Sequence, residues 1–391
     1  MQSTPLSSML DGERLAIGHA IWGWGYCDEC KLKPEINCSS LICAAYIHKK
    51  LPFFFRYYRN LVTAYDRGRP VGVIAALTTH DDLSNLIQLM REAPELAKNE
   101  LMRIAFPERP DRTNVSIPEQ EKALNLAANI ITMTSCVPSH QSILLLEQGR
   151  LQLPWQSNLS LGAFFTTVFP MPDTENPYSG AIDASIKHAL SAKKLKRIAR
   201  IQLVPTDDLS SHLKFDKRDG IVHVFHHCGF LKENLRVTRD RGSQLSVADY
   251  LKLGCIPRQL ALETLDTIQR ILFPLADAES KTLISSLIST SYWDPECEKI
   301  PSTLYLGPEE VDVRYHYFGN RLLELYEEVS DPGPQTTMGK WLDRKKSSRH
   351  VMMATLTGVV IAIILGILTL GVSGYQAWLG YQQWQHPKEG N

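Results

Sequence analysis

From Val351 to Ser373 the chain runs through 23 consecutive residues without a formal charge, most of them Val, Ile, Leu, Ala, Met or Gly. No other stretch restricts the fold as much. At about 1.5 Å of rise per residue it makes a rod of roughly 34 Å, enough to cross a hydrocarbon core of about 30 Å with some tilt. Lipid offers a backbone amide no partner, so a lone stretch of this kind has to be helical. Residues 351–377 therefore read as a transmembrane helix that has membrane lipid as its partner. Ahead of it stand Lys340, Arg344, Lys345, Lys346 and Arg349 against Asp343 alone, a net charge of +4, whereas beyond Ala377 only Lys388 and Glu389 are charged. Basic flanks stay on the cytosolic side, which predicts a single pass, a cytosolic N-terminal part and a short far-side tail, 378–391. Tyr375, Trp378, Tyr381 and Trp384, with Trp341 on the near side, have the amphipathic rings that settle at headgroup level. A buried soluble helix is the competing reading, and the basic and aromatic edges argue against it.

One face of the span carries Ala354, Gly358, Ala362 and Gly366, four small residues at a spacing of four. Such a groove lets a second helix approach closely, so self-association is one expectation. The other is that Gly and Ala are simply common in membrane helices. Met1–Glu13 lacks the basic head and apolar core of a signal peptide. The span would then be the first targeting signal to emerge, a tail-anchored arrangement, and its length favours the endoplasmic reticulum over the mitochondrial outer membrane.

The preceding residues divide into an N-terminal segment, 1–50, a mostly helical domain, 51–330, with a sub-boundary near 180, and a basic linker, 331–350. Lys and Arg number 42 and so do Asp and Glu, so no global charge draws the chain to nucleic acid, and no such partner is expected.

Four of the eight cysteines, Cys27, Cys30, Cys38 and Cys43, fall within 17 residues. A Cys-x2-Cys turn can aim two thiolates at one zinc ion and a second pair can complete a tetrahedron, which makes these four candidate ligands of a structural zinc. The spacing is not that of a standard finger or ribbon, and Cys43 lies in an apolar stretch. Buried or free thiols and a redox pair stay open beside the zinc reading. A cytosolic placement makes structural disulfides unexpected.

Along the helical domain, Phe53, Phe54, Phe55, Tyr57 and Tyr58 alternate with Lys49, Lys50, Arg56 and Arg59. They read as a core helix whose basic side chains reach the surface, in preference to an interfacial membrane helix. Leu83, Leu86, Ile87 and Met90 predict a helix after Thr79, with Asp81 and Asp82 in its first turn. Another is expected from Pro118 to Met133, and a third from Ala181 to Ala199. The basic end of that third helix, Lys193 to Arg200, is either a phosphate or lipid contact or, more ordinarily, a solvated face. Ile201–Val204 and Val222–His226 alternate as strands, with Asp219-Gly220 as the turn before the second and Thr206 as cap of a short helix between them. Ser246 caps a further helix that ends at Gly254, Pro257 opens another, and Asp277 a third. A last helix is expected from Pro308, its seam Val311, Tyr315, Phe318, Leu322, Leu325 and Val329. The fold class is thus mainly α, a multi-helix domain with a small β insertion at about 200–226 and one C-terminal transmembrane helix.

No nucleophile elbow, zinc-protease helix, phosphate loop, dinucleotide fingerprint or kinase signature is present. His223, His226, His227 and Cys228 invite a metal, but His223 and His226 point to opposite faces of a strand and share no ion without a bulge. Two functions follow. One is an interaction or scaffold protein that presents a helical domain on the cytosolic face. The other is a membrane-tethered enzyme with a motif-free pocket gathered from Asp207, Asp208, His212, His223, His226 or Glu233.

Several segments resemble a family of uncharacterised fungal proteins: Thr206-Asp207-Asp208-Leu209, His226-His227, Phe230-Leu231-Lys232-Glu233, Pro257-Arg258-Gln259-Leu260 and Tyr317-Phe318-Gly319-Asn320-Arg321-Leu322, with Tyr381–Pro387 in the tail. The likeness covers most of the chain from about residue 50 onward and leaves out the cysteine cluster. It implies a helical architecture and a membrane tail, and it carries no catalytic residue.

Overall fold

The computed structural model describes residues 6, 9–32, 38, 40, 43–107, 115–136, 153–171, 184–241, 245–290, 292–307, 310, 312–331 and 350–385. The basic residues of the linker and the charged residues of the tail lie outside them. Met1–Ser330 forms one compact unit and Asp331–Asn391 a second.

The first unit is mostly helical. Helix α1 (Asp11–Trp22) buries Ile17, Ala20, Ile21 and Trp22, and short α2 (Asp28–Leu32) and α3 (Ala44–Ile47) follow. Helix α4 (Pro52–Arg67) buries Phe54, Phe55, Tyr57, Tyr58 and Val62, while Arg56 lies over the Phe53 ring at 4.3 Å. Phe54, Phe55, Tyr57 and Tyr58 are core, as their spacing predicts. Helix α5 (His80–Glu92) opens on a capping box in which Thr79 and Asp82 satisfy each other's backbone amides. Next come α6 (Lys98–Ala105), α7 (Ile117–Thr132) and α8 (Leu161–Val168).

The single helix expected over 181–199 is two, α9 (Ala184–Ala189) and α10 (Ala192–Arg197). Ser191 separates them because its hydroxyl accepts from the Lys194 amide at 3.4 Å, and a serine that caps a new helix competes with continuing the old one. The basic end is partly spent on an ion pair between Lys193 and Glu279.

The β insertion is a three-stranded sheet, β1 (Gln202–Thr206), β2 (Phe215–Asp216) and β3 (Ile221–Phe225), in the order β1-β3-β2. β1 and β3 run parallel with Thr206 opposite Phe225, and β2 is antiparallel to β3. Pro205 is tolerated because β1 is an edge. Asp208, rather than Thr206, caps the short 3-10 turn Leu209–Ser211: its Oδ1 accepts from the Ser210 amide at 3.0 Å.

Helix α11 (Cys228–Val237) leaves the end of β3 and is buried on every side from Cys228 to Leu235, which makes it the central helix. It packs on α4 and on α13 (Arg258–Asp266), which continues as a π-helical turn, Thr267–Leu272. Between them α12 (Val247–Lys252) starts at the Ser246 cap, and α14 (Ala278–Thr290) follows Asp277, whose carboxylate accepts from the Ser280 amide at 3.0 Å.

The last helix of the unit, α15 (Gly319–Ser330), begins later than its seam predicts. Tyr315 and Phe318 reach the core from a turn. There the carboxylate of Glu263, on α13, accepts from the amides of His316, Tyr317 and Phe318 at 2.7, 2.8 and 3.1 Å. A remote side chain thus caps this helix.

The second unit is α16 (His350–Gln385). Among the described residues it is the one helix long and apolar enough to cross a membrane, over Gly358–Gln382, and none of that stretch is buried within the chain.

Candidate metal centre and neighbouring polar clusters

Cys27 ends the turn after α1, and Cys30 lies one helical turn further on, in α2. Cys43 precedes α3 and pairs with Gly25 through a parallel bridge, where the Ala44 amide donates to the Gly25 carbonyl at 2.9 Å. These elements, with Cys38, bring the four thiols together, every sulfur within 4.8 Å of the others. Cys27 and Cys38 are 3.7 Å apart. Two backbone amides point at sulfur: Cys27 N–H at Cys43 and Ser40 N–H at Cys38, each at 3.4 Å. Desolvation pushes the Cys43 thiol up, but amide donors outweigh it and bring it down to about 7. All eight cysteines are free thiols.

A second cluster, which the strand argument about His223 and His226 missed, forms where the parallel strands end. Asp207 follows the last residue of β1, and His226 and His227 follow the last of β3. Both Nε2–H groups donate to Asp207 Oδ1, at 3.1 and 2.7 Å. Both imidazoles are buried while the Asp207 side chain is 55% exposed. Although Asp207 is partly desolvated, the two imidazole donors hold its carboxylate well below the ordinary range. Burial first, and then the neighbouring His226, hold the His227 ring down to about 4.

Three donors in this arrangement are the makings of a two-histidine, one-carboxylate site. The outer nitrogens decide against it. Nδ1 of each ring is buried without a hydrogen-bond partner among the described residues. A metal on Nε2 would force a proton onto each Nδ1, leaving two donors without the outer-shell acceptors that metal-bound imidazoles use. With Nε2–H of each ring donating to the ionised Asp207, the cluster is a brace between the two strand ends.

The brace implies acid lability. A histidine held below its unfolded value of about 6.5 contributes stability that is present above that value and is lost as the pH falls toward about 4. For His227 the loss is on the order of 3 kcal/mol. Buried His212, held down by burial and by Arg321, acts in the same direction. Thermal unfolding of the intact chain between pH 7 and pH 4 should show a steep loss, flattened in His227→Gln. An equally steep loss in that variant would show that His227 is not its source.

The other residues proposed for a motif-free pocket are scattered. His212 accepts from the Phe225 amide at Nδ1 and donates from Nε2 to Thr267, in the core. Glu233 accepts from the Trp24 indole at 2.7 Å and from Arg236. Cavities formed by described residues include one of about 340 Å³ beside Lys49, Lys50 and Lys299 and one of about 690 Å³ beside Lys193 and Lys196. Neither is lined by Asp207, His226 or His227.

On α16, Gly358, Ala362, Gly366 and Trp378 are exposed, and a Cβ at either glycine would meet nothing within 4 Å. Val351 belongs to the helix, and its side chain lies outside the described residues. Comparison of the chain with protein-family models, curated proteins and solved structures returns no match. The molecule is defined by its own geometry: a mainly helical domain with a small mixed sheet, followed by one apolar helix of membrane-spanning length.

Proposed function

We propose that this chain is a membrane-tethered interaction protein, its helical domain displayed on the cytosolic face of the endoplasmic reticulum and held there by α16. The observation that carries the reading is the bare apolar helix. Val359, Ile361, Ile364, Leu365, Ile367, Leu368 and Leu370 are each more than half exposed. Leaving such a surface in water costs on the order of 10 kcal/mol, and a hydrocarbon core removes that penalty. The basic residues ahead of the helix in sequence support the cytosolic orientation. An interaction role, rather than catalysis, is supported by where the candidate acids and bases are: His212, Glu233 and the Asp207 brace are committed to holding elements together.

The full-length chain should stay with the membrane pellet through alkaline carbonate, and a version lacking 351–385 should be soluble. In sealed microsomes, added protease should digest the domain, and Asn158, which is exposed, should carry no glycan. Extraction by carbonate removes the anchor. A glycosidase-sensitive mass shift at Asn158 reverses the orientation. Crosslinking in those microsomes should give a discrete adduct that requires the domain, and the same adduct from the anchor alone would defeat the interaction reading.

A further inference from the structure

We propose that Cys27, Cys30, Cys38 and Cys43 bind one zinc ion as a closed tetrathiolate site that fastens the segment after α1 to the start of α3.

The first support is size. Zinc–thiolate bonds of about 2.3 Å in a tetrahedron put neighbouring sulfurs about 3.8 Å apart. Cys27 and Cys38 are separated by 3.7 Å, and every other pair lies within 4.8 Å, so one ion at the centre needs inward movements of no more than about an ångström. A cluster of two or four irons spreads its thiolates across several metal atoms and does not fit a set gathered this tightly.

The second support is where the buried thiols are. Cys30 is 2% exposed and Cys43 is fully buried. An ordinary buried cysteine is a small apolar residue packed among others, and Cys228, Cys255 and Cys297 do belong to the hydrophobic core cluster. Cys30 and Cys43 do not belong to it. They are buried beside the other thiols, with each sulfur within 4.8 Å of the rest.

The third support is the donor pattern. The Cys27 and Ser40 amides aim at the sulfurs of Cys43 and Cys38. Amide donors to sulfur stabilise thiolate over thiol, and they are the outer-shell contacts that orient metal ligands. Four thiolates around one dication leave a net charge of −2, which such donors help disperse.

The consequence is structural. Trp22, the last residue of α1, stacks on Trp24 with ring centroids 5.2 Å apart, and the Trp24 indole reaches Glu233 of the central helix. A metal knot just after these rings secures the N-terminal segment against α11 without a large core of its own. With four protein ligands the site has no open position, so its role is folding and not hydrolysis.

The test uses the full-length chain purified in detergent without chelators. Elemental analysis should give one zinc per chain. Cys30→Ser and Cys43→Ser should each lose it, and Cys136→Ser, distant in sequence, should keep it. Because either ligand variant can fail for reasons of folding, the wild-type chain is also exchanged with cobalt(II). It should show the intense thiolate-to-metal absorption of a tetrahedral tetrathiolate site. Stripping the metal with a strong chelator should expose four extra thiols to alkylation and lower the thermal midpoint. Less than a tenth of a zinc per chain, zinc lost equally in Cys136→Ser, a visible iron–sulfur spectrum, or no change in thiol reactivity on chelation would each overturn the proposal.

Discussion

Replacing Glu263 by alanine is expected to destabilise the Met1–Ser330 unit by about 5 kcal/mol, on the order of 10 °C in thermal midpoint. Glu263 is fully buried, and its two oxygens accept from three consecutive backbone amides, His316 to Phe318, and from the Gln259 amide. Alanine strands three N–H groups at the start of α15, each costing about 1–3 kcal/mol when left unpaired away from water. Near-ultraviolet dichroism of the buried tryptophans reports the unfolding. Glu263→Gln keeps one acceptor and turns an NH2 group toward the remaining amides, so it should fall between wild type and alanine. If alanine lowers stability by less than about 1 kcal/mol, the capping role assigned to Glu263 is wrong.

Gly254→Ala should be comparably damaging, about 4 kcal/mol or more, or enough to prevent accumulation of folded protein. Gly254 adopts φ +67°, and a Cβ there would lie 1.6 Å from the carbonyl oxygen of Ile21 and 3.2 Å from Arg91 Nε. Backbone of α1 therefore has to move. That movement strains the clamp in which Arg91 donates to the carbonyls of Ala20 and Lys252, at 2.6 and 2.9 Å. The control is Gly23→Ala. Gly23 has the same φ of +67°, but a Cβ there meets nothing within 4 Å. It should show the left-handed backbone penalty alone, about 1–2 kcal/mol. Equal losses in the two variants would mean that the close approach to α1 is not what holds Gly254.

These two positions mark the boundary between what is legible in the chain and what is not. Gly254 is recognisable as a stop after the Ser246 cap, since a glycine beyond a run of helical spacing serves a left-handed terminus. That Ile21, more than 200 positions earlier, presses on the same atom is a fact of packing. The spacing from Val311 to Val329 predicts one long helix. It starts at Gly319 because a carboxylate from another helix captures the preceding amides, and periodicity carries no record of a partner so remote. Asp207 and Asp208 look alike as helix-start acids. The parallel pairing of β1 with β3 sends one to two imidazoles, while the other caps its own turn.

The sequence alone determined the long apolar span and its flanking charges, the mainly helical class, the two longer strands, a helix start after Thr79, the cap at Ser246, and the four thiols as one candidate set. Each of these is a local property: periodicity, hydropathy, and side chains that bond within three or four residues. The tertiary structure decided which strands run parallel, where α15 begins, that His226 and His227 brace a strand end, and that the four sulfurs converge outside the core. Those outcomes depend on contacts between residues far apart in the chain, whose energies exist only once the elements have packed.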